Sequence, residues 1–272
     1  FEEQVVRMET NRKRAWRSRG EKAVTQQGVE VKVLANASCE EDCRLALENG
    51  AEGVGLFRME AYYLSLKYPP REDELVAHLR KCFEPFEDKE ITIRLLDVGG
   101  DKELPYLPDL RENEPALGLR GIRFLTRFED LLNTQLNALL TLSKNVDLRI
   151  LVPMVTIVDD MRAVRAQLEK CAEEMKLDKI PPLGAMIETP AAALCADALK
   201  PYCDFFSVGT NDLTQYTMAA SRESEEVARY FHEDHPAILK LLKTIVETVG
   251  GDKLAICGEI AGNRLVVPAL LN

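Results

Sequence analysis

Apolar positions along the chain fall into short runs separated by longer stretches of helical period. The runs are 29–38 (VEVKVLANAS), 54–58 (VGLFR), 91–98 (ITIRLLDV), 148–155 (LRILVPMV), 183–188 (LGAMIE), 205–209 (FFSVG) and 254–257 (LAIC). Each reads as a strand, 91–98 most clearly because its apolar residues are largely β-branched. Between the runs the period changes. Ser38 with Glu41 three residues later forms a capping box that opens a helix, and Gly50 closes it. Pro69 and Pro70 precede a helical stretch through Cys82, and Leu132, Leu136, Leu139 and Leu140 recur at helical spacing. Met161, Val164, Leu168, Cys171 and Met175 share one helical face. Thr189 caps a helix with Pro190 at its first position, and Ile238, Leu241, Leu242 and Ile245 mark another. Strand–helix alternation implies right-handed βαβ units and a parallel sheet. Seven strands favour a barrel over a small open sheet.

The first 22 residues stand apart. They carry Arg12, Lys13, Arg14, Arg17 and Arg19 on a polar helical pattern that stops at Gly20. Such a helix is expected to be a linker, giving a linker helix over 1–22 and a barrel over 23–272. A nucleic-acid arm finds no support elsewhere in the chain. The total of 272 residues suits one α/β barrel, and 46% hydrophobic with 29% charged residues is a globular composition. Asp and Glu number 45 against 35 Lys and Arg, so the formal charge is −10. That surface attracts neither nucleic acid nor anionic membrane, and an anionic substrate requires basic residues gathered locally. No apolar stretch approaches the ~20 residues of a membrane span, and the opening Phe-Glu-Glu-Gln lacks the form of a signal peptide. The seven cysteines are odd in number and scattered; the closest, Cys39 and Cys43, lie in a helix-like stretch, as expected for reduced thiols of a cytoplasmic protein. His78, His232 and His235 lack zinc-site spacing, and GVGLFR is not a dinucleotide fingerprint.

The chemistry sits where the strands end. Arg58 closes the second strand, and Arg94 lies in the third, followed by Asp97, Asp101 and Lys102. Met154 ends the fourth and Glu188 the fifth; Asn211 and Asp212 follow the sixth, and Cys257 and Glu259 follow the seventh. One such charge is an ordinary loop residue. In a parallel barrel, however, all the carboxyl ends share one face, where active sites are built. Arg58, Arg94, Arg120 and Arg222 are bidentate donors suited to phosphate and carboxylate oxygens. Glu188 and Asp212 are hard oxygen ligands suited to one Mg²⁺ that keeps waters and also binds substrate phosphate. Cys257 is a small protonatable group in the same mouth.

Five stretches carry a resemblance: NGAEGVGLFRME (49–60), IRLLDVGGDKELPYL (93–107), IETPAAA (187–193), DFFSVGTNDLTQYTMAASR (204–222) and CGEIAGN (257–263). In them the chain resembles the C-terminal, phosphoenolpyruvate-binding domain of enzyme I, the phosphoenolpyruvate-protein phosphotransferase of the sugar phosphotransferase system. The resemblance implies a TIM-type (β/α)8 barrel of the phosphoenolpyruvate/pyruvate kind, here truncated before the eighth strand and preceded by the linker helix. It implies that Arg58, Arg94 and Arg222 hold the substrate phosphate, with Arg120, Asn211 and Lys102 beside them. It implies Glu188 and Asp212 as the Mg²⁺ ligands and Cys257 as the acid that protonates the enolate carbon. The implied partners are phosphoenolpyruvate and pyruvate, an N-terminal phosphohistidine domain, through it the histidine-containing carrier protein, and a second copy in a homodimer.

The chain departs from the family pattern in places. Met59 stands where the family has Thr, Ser221 where it has Asp, and Glu114 where it has Asn. None of the three histidines lies in the Thr-Ser-His context of the phosphoryl acceptor, so this fragment is expected to be incomplete for turnover. Alternative readings are the barrel of a pyruvate phosphate dikinase or phosphoenolpyruvate synthase, and a non-catalytic phosphoenolpyruvate-sensing dimerisation module.

Overall fold

The computed structural model describes residue 10 and residues 15–86, 88–99, 104–107 and 112–271. Lys102 and most of the expected linker helix lie outside the described residues; residues 15–18 are helical. There Trp16, the only tryptophan of the chain, is half exposed under the Arg19 guanidinium, which lies 4.0 Å from its ring centre.

All seven expected apolar runs contain a strand of one parallel sheet: β1 (Ala35–Ala37), β2 (Val54–Arg58), β3 (Ile91–Arg94), β4 (Leu148–Val152), β5 (Leu183–Ile187), β6 (Phe205–Val208) and β7 (Leu254–Ile256), paired in chain order. Every residue of β3, β5 and β6 is buried, as it must be in a parallel sheet covered on both faces. Alternation along a strand divides the core. Ile150 and Val152 join the large cluster beneath the helices, whereas Leu151 packs with Leu56, Met186 and Phe205 on the concave face, where Cys257 also touches them. The sheet curls far enough that the Asn36 amide on β1 donates to the carbonyl of Cys257, just past β7, at 2.9 Å. Among the described residues no strand pairs the outer edges of β1 and β7. The architecture is thus the expected barrel with seven strands present.

Helices follow the strands. They include α1 (Glu40–Glu48), α2 (Glu60–Ser65), α3 (Glu72–Phe83), α4 (Glu129–Leu142), α5 (Val158–Glu174), α6 (Pro190–Leu194), α7 (Thr210–Met218) and α8 (Pro236–Val249). Thr189 caps α6 as expected, its hydroxyl accepting from the amide of Ala192.

Three local expectations are corrected. The run 29–38 is not one strand. Glu30–Val31 pairs antiparallel with Ala23–Val24, and the chain joins the barrel only at Ala35. The hairpin supplies a partner for the β-branched residues, and Val29 and Val33 face solvent. The cap of α1 is shifted by one residue. Cys39 is its N-cap, and Asp42 rather than Glu41 accepts from the amide and hydroxyl of Ser38, at 2.8 and 2.7 Å. The third strand ends at Arg94. Beyond it the amides of Leu96 and Asp97 are satisfied by the side chains of Gln135 and Glu60, at 2.8 and 3.0 Å, in place of a neighbouring strand.

Candidate active site

At the carboxyl ends of the strands, acidic and basic side chains alternate in a ladder. Glu60, at the first position of α2, accepts from Arg94 at 2.9 Å and from the backbone of Asp97. The other terminal nitrogen of Arg94 lies 3.3 Å from Asp97. Asp97 also accepts from Arg120 at 2.9 Å, and Arg120 reaches on to Asp212, again at 2.9 Å. Arg222 ends the series, 4.0 Å from the second oxygen of Asp212. Glu60, Arg94, Asp97 and Asp212 are buried. Burial works against the charges on Arg94 and Arg120, but the carboxylates around them prevail and hold both guanidinium groups above their ordinary pKa. Among the described residues Nε of Arg94 is buried without a partner. It is a buried donor left for an oxygen to satisfy.

The Arg120 segment is docked backbone to backbone. Gly99 bridges to Arg120, and Gly121 donates to Val98 at 3.2 Å. Gly99 has φ +101°, and a Cβ there would come within 2.0 Å of the Leu119 carbonyl, so only glycine fits. From α7, the Tyr216 hydroxyl accepts from Arg120 at 3.0 Å and donates to the carbonyl of Ala116 at 2.5 Å.

Glu188 follows β5 and is buried. It accepts from the amide of Met154 at 2.5 Å, and Met154 holds φ +54° to present that amide. Burial pushes the Glu188 carboxyl up to about 8; the carboxylates of Asp212 and Asp97 push the same way, against Arg94 and Arg120. Among the described residues no third acidic, His or Cys side chain completes a metal-binding group with such a pair. Two hard carboxylates are nonetheless a donor set that Mg²⁺ takes together with waters and substrate oxygens, so the residues fit that ion.

Cys257 follows β7, its thiol 3.4 Å from the carbonyl of Val208. Burial raises the thiol to about 11, with the Glu188 charge adding to it, so the group is protonated at neutral pH. The next residue must be glycine. A Cβ at Gly258 would lie 1.8 Å from the Thr210 hydroxyl. This close approach lets Asn211 accept from the amide of Glu259 at 2.9 Å, tying the Cys257 loop to the start of α7.

Residues 12–272 match the family described as PEP-utilising enzyme, PEP-binding domain. The chain belongs to this family. It is 40% identical over 258 residues to the phosphoenolpyruvate-protein phosphotransferase of Geobacillus stearothermophilus, covering 92% of this chain and 45% of that one. The corresponding proteins of Bacillus subtilis (strain 168) and Haloferax volcanii match at 39% over 260 residues and 40% over 255, again across 45% of their length. The chain therefore spans somewhat under half of the curated relatives it matches. The family expected from the five motif stretches is the family found.

Within this PEP-binding domain the expected site residues divide. Arg94, Arg120, Asp212 and Arg222 are joined in the ladder, with Glu188 within electrostatic range of it and Cys257 within electrostatic range of Glu188 and Arg94. Asn211 holds the Cys257 loop. Arg58 pairs in register with Arg94 on the neighbouring strand, but its side chain is exposed and makes no hydrogen bond or ion pair among the described residues. Lys102 lies outside them. Glu60 and Tyr216 are not singled out by the sequence, which places Asp97 and Met154 at strand ends without a role. Glu60 and Asp97 were within quoted motifs, yet an acid near an arginine reads as a loop charge until the fold shows it buried. No helix among the described residues is long and apolar enough to cross a membrane.

Proposed function

We propose that this chain is the phosphoenolpyruvate-binding catalytic barrel of an enzyme I-like phosphotransferase, a cytoplasmic homodimer that begins a sugar-uptake phosphorelay. The observation that carries the reading is the buried arginine–carboxylate ladder meeting two hard carboxylates and a protonated thiol in one mouth. Its arginines suit a ligand with both phosphate and carboxylate oxygens, and the partnerless Nε of Arg94 supplies one donor for it.

In this reading Arg58, Arg94, Arg120, Arg222, Lys102 and Asn211 bind and orient phosphoenolpyruvate. Glu188 and Asp212 hold Mg²⁺, which when bound polarises the phosphoryl and enolate oxygens. The bond between phosphorus and the enol oxygen breaks, and the phosphoryl group passes to an imidazole nitrogen of a histidine in an N-terminal domain that residues 1–22 link to the barrel. The electron pair left on oxygen is an enolate, which the arginines stabilise. Carbon 3 of the enolate takes the proton from the Cys257 thiol, and the thiolate recovers one from solvent. Pyruvate leaves in its keto form, and the phosphohistidine passes its group to the small histidine-containing carrier protein.

The test is a calorimetric titration of the barrel with phosphoenolpyruvate, with and without Mg²⁺, followed by addition of a separately made N-terminal half and carrier protein. Mg²⁺-dependent binding, and carrier phosphorylation only when the N-terminal half is present, are expected. Absence of binding under both conditions overturns the assignment.

A further inference from the structure

Asp212 has two claims on it. As the second hard carboxylate it is the partner of Glu188 for a divalent cation, yet its Oδ1 already accepts from Arg120 at 2.9 Å and its Oδ2 faces Arg222 at 4.0 Å. The cluster is also close to balanced. Four carboxylates, Glu60, Asp97, Glu188 and Asp212, face the three guanidinium groups of Arg94, Arg120 and Arg222. A dication entering alone would leave this buried cluster with a net positive charge, which a low-dielectric site disfavours. A dication entering with a ligand that carries a phosphate and a carboxylate would not.

The geometry gives Arg120 a way to yield. Its guanidinium is held to Asp97 by two bonds, Nη2 at 2.9 Å and Nε at 3.4 Å, while Nη1 alone serves Asp212 and Tyr216. Because the guanidinium is rigid and planar, Nη1 leaves Asp212 when the whole group tilts about its Asp97 edge toward a phosphate oxygen. The Tyr216 hydroxyl fixes the starting position, because it is itself anchored on the carbonyl of Ala116 at 2.5 Å.

We propose that Arg120 is a parked cation: its guanidinium occupies the Asp212 carboxylate that the metal needs, Tyr216 acts as the positioning residue that keeps it there, and a phosphate-bearing substrate draws it off, so that divalent cation and substrate bind tightly only together. The inference rests on the metal and substrate roles proposed above and adds a regulation of that site. Coupling between two ligands of one site typically amounts to about 5–150-fold, and it is reciprocal.

Mn²⁺, whose free form is counted directly by electron paramagnetic resonance, is the probe. It is titrated into the whole chain, into Arg120→Gln and into Tyr216→Phe, each with and without saturating phosphoenolpyruvate. The expected result for the unaltered chain is weak binding of Mn²⁺ alone and at least about tenfold tighter binding with phosphoenolpyruvate. Arg120→Gln binds Mn²⁺ alone about tenfold more tightly than the unaltered chain and gains little from the substrate. Tyr216→Phe shifts the same way by a few-fold; this milder change carries the test if Arg120→Gln fails to fold. If neither folded variant binds Mn²⁺ alone more tightly than the unaltered chain, Arg120 is not parked and the proposal falls, while the metal site stands. If no form binds Mn²⁺ even with phosphoenolpyruvate, the metal assignment to Glu188 and Asp212 fails, and the proposal with it.

Discussion

The two sides of the sheet are built differently. Across β3, β5 and β6 every residue is buried, and the ladder above them is closed by short ion pairs whose members are nearly all out of solvent. At the other side all three residues of β7 are only half-buried, and β1 buries one residue of three. Arg94 and Glu188 stand on the closed side, whereas Cys257 stands at the end of the open one. Oxyanion recognition needs donors that do not move, because a preorganised dipole loses its advantage once it must reorient. The proton transfer to carbon proposed for Cys257 needs an approach that can be adjusted. The contrast teaches that the closed side carries both stability and charge, while the open side is held to it by a few tethers, Asn36 to Cys257 and Asn211 to Glu259.

The sharpest way to break the contrast is Glu60→Ala. It leaves Arg94 buried with Asp97 as its remaining acid, so a loss of ~3–5 kcal/mol is expected in urea denaturation; a loss below about 1 kcal/mol would mean the ladder is not a structural element. Cys257→Ala comes next. Deuterium exchange into the methyl group of pyruvate, which runs the protonation backwards, should fall by ~10²-fold or more, while phosphoenolpyruvate affinity stays within about twofold. In the proposed mechanism that exchange needs the thiolate, whose fraction rises with pH until the group titrates near 11. The rate should therefore climb steadily through the neutral and alkaline range, and a flat profile would remove Cys257 from the role. Arg222→Ala, at a partly exposed position, should weaken phosphoenolpyruvate binding by roughly tenfold, the worth of one charged hydrogen bond, with the melting temperature unchanged. The smallest effect is expected from Asn36→Ala on the open side, about 1 kcal/mol or less in stability. A loss as large as that for Glu60→Ala would show both sides to be equally tight.

The strands were legible because a parallel sheet buried on both faces demands apolar runs, and the ends of those runs gave Arg94, Glu188, Asp212 and Cys257 together. What escaped was decided by partners remote in sequence. The run 29–38 carries strand-forming residues throughout, and nothing in it tells that Glu30 and Val31 serve a hairpin while Ala35 serves the barrel. Asp97 and Glu60 become legible as site groups only once Arg94 and Arg120 are seen between them. Tyr216 sits one turn beyond Asp212 on α7, a spacing that places it on the same face, and its hydroxyl had no visible reason to matter until the Arg120 segment was docked beneath it. Arg58 stands at a strand end in register with Arg94, where the resemblance implies a phosphate holder, and its side chain is exposed.

The lone tryptophan gives these experiments a built-in division of signals. Trp16 lies before the first barrel strand, with the Arg19 guanidinium over its ring, and no other indole exists in the chain. Light that excites indole alone will report the N-terminal segment and leave the barrel dark. Events at the mouth that reach residues 15–19 will appear as a change in emission, and events confined to the mouth will leave it silent.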